Sequence, residues 1–208
     1  MRTPHLARII AVIGIAVVIV IGVALTSGGR PMITANEPPT TRPTVRFEGP
    51  PPTTTVTLAP RPSSLSLVGV NPCTILSSSQ RADLSLDSPP TPYTDEEFDK
   101  AKACSIRGLE SGTVARLALV VNMGVDVWLS DEAQVQTQPV TADGFPAIVV
   151  RTPGLADACN VEVDTADDEF LDVLFRDGGN SPPIPQDTLC LGAQRVAEAA
   201  VSSLKLRH

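Results

Sequence analysis

Residues Ile9 to Leu25 are 17 in succession without a polar side chain, preceded by Arg2, His5 and Arg8. A helix that is apolar all round has nothing to pack against at this end of the chain, and flanking cations stay cytoplasmic under the positive-inside rule, so the segment reads as an export signal. The run is longer than an ordinary signal-peptide core and sits at the lower bound for crossing a bilayer. Ala24-Leu25-Thr26-Ser27-Gly28 is a poor cleavage site. The reading is therefore a cytoplasmic n-region over residues 1–8 and a retained single-pass transmembrane helix over residues 9–25, with a cleaved signal peptide and a secreted product as the alternative.

The pattern then changes abruptly. Nine of the 32 residues from Pro31 to Pro62 are proline, interleaved with Thr40, Thr41, Thr44, Thr53, Thr54, Thr55 and Thr57. Frequent proline fixes an extended backbone and removes amide donors, and no apolar period survives to build a core. Residues 26–70 are thus expected to be a disordered Pro/Thr-rich stalk, either bare or O-glycosylated.

Residues 71–208 suffice for one domain with a sizeable core. Asn71 with Pro72 behind it is an N-cap signal, and the stretch through Ile75, Leu76, Ala82 and Leu84 predicts a short helix ended before Pro89-Pro90. Ser88 to Lys102 reads as a polar loop with one helical turn near Glu97 and Phe98. Strands are predicted at Ser105–Glu110, Val114–Asn122, Val125–Leu129 and Phe145–Arg151. Cys159, Val161 and Val163 alternate with Asn160, Glu162 and Asp164, and this strand pairs across the turn Thr165–Glu169 with Phe170–Arg176 as an antiparallel hairpin. A last helix, capped by Asp187, places Cys190, Ala193, Val196, Ala197, Ala200, Val201 and Leu204 on one face. The sum is an α+β fold: an antiparallel sheet of five or six strands covered by an N-terminal and a C-terminal helix.

Cys73 and Cys104 are 31 positions apart, as are Cys159 and Cys190. All four follow the export signal, and paired cysteines persist in an oxidising compartment. Four cysteines allow three connectivities, and spacing alone does not choose among them. Local pairing, Cys73 with Cys104 and Cys159 with Cys190, is favoured because it staples each terminal helix to a neighbouring strand.

Charge and residue types narrow the chemistry. Residues 71–208 hold 10 Lys/Arg against 21 Asp/Glu, a net of −11, while residues 1–70 hold 6 against 2, a net of +4. Nucleic acid is not an expected partner of so acidic a domain. Histidine occurs only at positions 5 and 208, so Ser-His-Asp and Cys-His catalysis lack a base. No Cys-x-x-Cys knuckle or helical His pair suggests a metal, and no glycine-rich phosphate loop suggests a cofactor. Two acidic clusters, Asp95-Glu96-Glu97 with Asp99, and Asp164 with Asp167, Asp168 and Glu169, are the remaining candidates for ion binding or carboxylate catalysis. Turn preference alone also explains the second. Trp128, between Val127 and Leu129, reads as core rather than as a sugar platform.

The order Asn71-Pro72-Cys73, a second cysteine at 104, Gly144-Phe145-Pro146-Ala147, Cys159-Asn160-Val161-Glu162-Val163 and a final helix Cys190-x-x-Ala193-x-x-Val196-Ala197-Glu198 resembles the actinobacterial domain-of-unknown-function 3558 family over essentially all of residues 71–206. The resemblance implies an extracytoplasmic (lipo)protein of the cell envelope without established activity, in an α+β fold of the Mog1/PsbP type. Gly28 stands where a lipobox needs cysteine, which favours anchoring by the apolar segment, and Ile106 replaces an aromatic frequent in the family. The functional expectation is a non-enzymatic, membrane-anchored envelope protein. Its disulfide-stapled domain binds an envelope or secretion partner, needs no cofactor or metal, and has no catalytic residues. Two alternatives stand beside it: a small-ligand carrier using a cleft between sheet and helix, and a carboxylate-dependent cell-wall hydrolase acting through Asp167, Asp168 or Glu169.

Overall fold

The strongest period-2 signal in the chain forms the centre of the sheet. In the computed structural model, which describes residues 57–207, strand β6 (Ala158–Ala166) pairs with β7 (Glu169–Asp177) across a two-residue turn at Asp167-Asp168. Cys159, Val161 and Val163 all lie in the main core. Five more strands complete the sheet: β1 (Thr91–Asp95), β2 (Ala101–Gly108), β3 (Thr113–Val120), β4 (Gln136–Ala142) and β5 (Phe145–Arg151). The order is β1-β2-β3-β7-β6-β5-β4, and every neighbouring pair is antiparallel.

The sheet thus holds seven strands where five or six were expected. The two strands that sequence pattern does not reveal, β1 and β4, are the edges. Each carries a proline, Pro92 or Pro139, and little buried apolar surface. An edge strand packs on one side only and tolerates proline because one row of its amides faces outward. Residues Val125–Leu129, predicted as a strand, form a 3₁₀ turn, followed by another at Asp131–Ala133. Topology decides this. The chain leaves β3 in mid-sheet and must reach β4 at the far edge, four strand spacings or ~19 Å away, so it crosses a face instead of pairing.

One face is covered by helix. The C-terminal α2 (Gln186–Lys205) buries Leu189, Cys190, Ala193, Val196, Ala197, Ala200, Val201 and Leu204 against the sheet. Gly192 lets the helix come close, since a Cβ there would lie 2.6 Å from the Phe175 ring. Asp187 does not cap the helix; it sits in the first turn and pairs with Arg151 at 3.1 Å. The predicted N-terminal helix is divided. Asn71 accepts from the Cys73 amide at a 3₁₀ turn, Pro72–Thr74, and a separate six-residue helix α1 (Ser78–Asp83) carries a Ser77/Gln80 capping box. Helix α1 buries none of its own residues. The layer over β2 and β3 is built instead by Leu65, Leu67, Ile75, Leu76 and Leu86.

Leu65 and Leu67 correct the expected stalk boundary at residue 70. Both are almost wholly buried, and the backbone N–H of Leu65 donates to Thr165 O at 2.8 Å. The folded unit therefore includes the last part of the proline-rich segment. The predicted transmembrane helix over residues 9–25 and most of the stalk lie outside the described residues. Among the described residues, no helix is long and apolar enough to cross a membrane.

Candidate functional site

Among the described residues the second face of the sheet carries no α-helix, and its two halves differ. Towards the β6–β7 turn, Phe98, Ala101, Ala118, Val120, Ile148 and Phe170 form a smaller apolar cluster, roofed by Val125, Trp128 and Leu129 of the crossover. Trp128 and Phe170 each meet the Phe98 ring edge-on, at centroid distances of 6.2 and 5.7 Å. Trp128 is therefore packing material.

The middle of this face is polar and buried. Register places Glu162 directly opposite Asp172, and Asp172 opposite Ala118. Arg116, on β3, bonds Asp172 at 2.5 Å and Asp95 at 3.0 Å, and its guanidinium lies 5.7 Å from the Phe98 ring centroid. Asn160 Nδ2 donates to the other Asp172 oxygen at 2.6 Å. Asp172 and Glu162 are both fully shielded from solvent. Burial is the largest single influence and lowers the Arg116 guanidinium; Asp172, Tyr93 and Asp95 together outweigh it and hold the group above its ordinary value. Burial, and then the Asp172 charge, push the Glu162 carboxyl well above the usual carboxylate range. Neither Glu162 oxygen has a hydrogen-bond partner among the described residues.

Beyond this network the face opens into a groove of about 740 Å³. Arg107, Arg116 and Arg176 line it with Tyr93, Ser105 and Leu174. Arg176 pairs with Asp157 at 3.2 Å. Burial pushes the Tyr93 phenol up to about 12. The far wall is rigid: Asp177 accepts from the N–H groups of Gly179, Asn180 and Ile184, and the Asn180 amide donates to Gly112 O at 2.7 Å. Those donors, Asn180 first, hold the Asp177 carboxyl well below its usual range. No histidine lies among the described residues to act as a base.

The cysteines lie on the other face. Cys73 is bonded to Cys104, joining the 3₁₀ turn to β2, and Cys159 to Cys190, joining β6 to α2, with Cα separations of 5.1 and 5.0 Å. Both bridges border the helix-side core. The acidic clusters act structurally. Arg61 pairs with Asp164 and Asp167, and Glu169 accepts from the Ser66 hydroxyl and the Leu67 amide. In the first cluster Asp95 binds Arg116, while Asp99 accepts from the Asn122 amide at 3.2 Å. Sequence reasoning passed over Arg116, Asp172 and Glu162. The available signal was a charge inside an apolar strand, as in Val114-Ala115-Arg116-Leu117 and Leu171-Asp172-Val173, since a lone charge in such a run is buried only when paired.

An antiparallel α+β domain closed by two disulfides defines the class as one suited to an extracytoplasmic compartment. The chain belongs to a family described as protein of unknown function (DUF3558), whose model matches residues 26–203. No curated protein and no solved structure matches the chain.

Proposed function

We propose that the chain is a non-enzymatic cell-envelope protein, held by a single N-terminal span, whose domain binds an envelope or secretion partner through the groove on the face opposite α2. The observation that carries this reading is the groove itself. It is preorganised, rimmed by arginines and Tyr93, and floored by an ion network that costs free energy to bury and that helix packing does not require. Arg and Tyr are the residue types that dominate protein interfaces when a rigid scaffold presents them. Two disulfides and an apolar N-terminal run support the extracytoplasmic address. The seven-stranded sheet with one long helix across it supports a sandwich of the Mog1/PsbP type.

The test is site-specific photo-crosslinking of the full chain in its native envelope. A photoreactive residue replacing Tyr93 or Arg107 should give a discrete protein adduct, and one replacing Arg195, on the solvent side of α2, should not. Adducts from neither groove position, or equal adducts from all three, overturn the proposal.

A further inference from the structure

Where the sheet ends beside the β6–β7 turn, a second concavity lies between the Leu67–Val70 segment and the adjoining ends of β2 and β3. It has a volume of about 310 Å³ and an apolar lining of Leu67, Val70, Phe98, Ala101, Leu119 and Val121. Lys100 and Lys102 also line it. Neither lysine is paired with a carboxylate among the described residues. The one acidic residue of the lining, Asp99, accepts from the Asn122 amide and keeps its charge. Two ammonium groups against one carboxylate leave this lining a net of +1, a local reversal of sign in a domain with twice as many acidic as basic residues.

We propose that this cleft binds a single-chain amphiphile with an anionic head, of the medium-chain carboxylate class: the tail enters past Val68 and Val121 to lie against Val70 and Leu119, and the carboxylate meets Lys100 and Lys102. Volume sets the tail length. At the ~30 Å³ that a water molecule occupies in the liquid, 310 Å³ holds about ten non-hydrogen atoms, the size of a decanoyl chain. Burial of the tail supplies the affinity, and the lysines select the head. The exposed Val68 and Val121 at the mouth extend the apolar surface to the entrance. This is a different site from the arginine groove, and neither proposal depends on the other.

The experiment uses the full chain in nanodiscs of zwitterionic phosphatidylcholine, with diazirine-bearing decanoic acid as the probe and peptide mass spectrometry as the readout. The expected result is label on residues 98–102 and 119–122 that unlabelled decanoate displaces and equimolar decan-1-ol displaces less. In the Lys100→Glu/Lys102→Glu double variant, whose positions are both exposed, labelling falls roughly ten-fold, the change that ~1.4 kcal/mol produces. Circular dichroism and intact disulfides confirm that this variant is folded. Label confined to residues 9–25, label at the cleft that the charge reversal leaves unchanged, or no label at all overturns the proposal. The labelling does not involve the groove, so its failure leaves the crosslinking result at Tyr93 and Arg107 untouched.

Discussion

The two faces of the sheet are stabilised by opposite means. The helix-side face is apolar and covalently fastened: α2, Leu65, Leu67 and Ile75 fill it, and both disulfides border it. Among the described residues the other face has no disulfide and no α-helix, only the 3₁₀ turn that roofs one half of it. Its centre is held by one arginine between two carboxylates, beside a carboxyl that has no hydrogen-bond partner among the described residues. Apolar burial is non-directional and leaves a surface with little to say to a partner; a buried ion network fixes geometry and leaves donors nearby. Robustness and recognition are thus divided between the two sides of a single sheet.

The largest expected effect attacks the charged face. Arg116→Met leaves Asp172 and Asp95 without their cation in a shielded site, and should cost about 3–5 kcal/mol in urea unfolding followed by circular dichroism. Adding Asp172→Asn should recover part of that loss by removing the stranded charge. If Arg116→Met costs no more than an exposed substitution, the network is decoration and the contrast between faces fails.

On the helix side, the Cys159→Ser/Cys190→Ser pair opens a loop of 31-residue separation, and the chain-entropy account puts the loss near 3–4 kcal/mol. The Cys73–Cys104 bridge has the same separation, so its removal should cost a similar amount. A difference of several kcal/mol between the two pairs would show that native contacts, not loop closure, set their contributions. Gly192→Ala should lower stability by about 1–3 kcal/mol, because the added methyl enters the Phe175 ring and outweighs the gain in helix propensity.

Glu162→Gln should be the mildest change at neutral pH and the most informative across a titration. A group whose folded-state pKa lies above its unfolded value contributes stability that is complete below the unfolded pKa and is lost as pH rises through the folded one. Glu162 is raised. Native stability should therefore decline from the ordinary glutamate range upward, and the glutamine variant should show a shallower decline over the same window. Asp177 is depressed, so its contribution is present above the ordinary aspartate range and lost as pH falls. Parallel pH profiles for Glu162→Gln and the native chain would refute a Glu162 carboxyl raised by burial.

Legibility in the sequence followed burial geometry. The β6–β7 hairpin and the buried face of α2 were readable because one side of each is apolar and the other polar, and that asymmetry leaves a period. The edge strands β1 and β4 were not, since Thr91-Pro92-Tyr93-Thr94-Asp95 and Gln136-Thr137-Gln138-Pro139 present little apolar surface to bury. Val125–Leu129 carries the composition of a strand, yet the crossover to β4 left it no neighbour to pair with. Leu65 and Leu67 sit in proline-rich chain whose local pattern says stalk; the hydrogen bond to Thr165 and the contacts to Glu169 draw them into the core. The acidic residues at the β6–β7 turn looked like a possible ion site, and Arg61, 103 positions from Asp164, turned them into a clasp.

By itself the sequence determined the class of the fold, the apolar face of the last helix and a cysteine set suited to an oxidising compartment, because each of these is written in local spacing. Tertiary structure alone decided that α2 lies on one face only, that Arg116, Asp172, Glu162 and Asp95 meet on the other, and that Lys100 and Lys102 flank an apolar cleft. Those are contacts between residues tens of positions apart, and no local period encodes which strand will lie beside which.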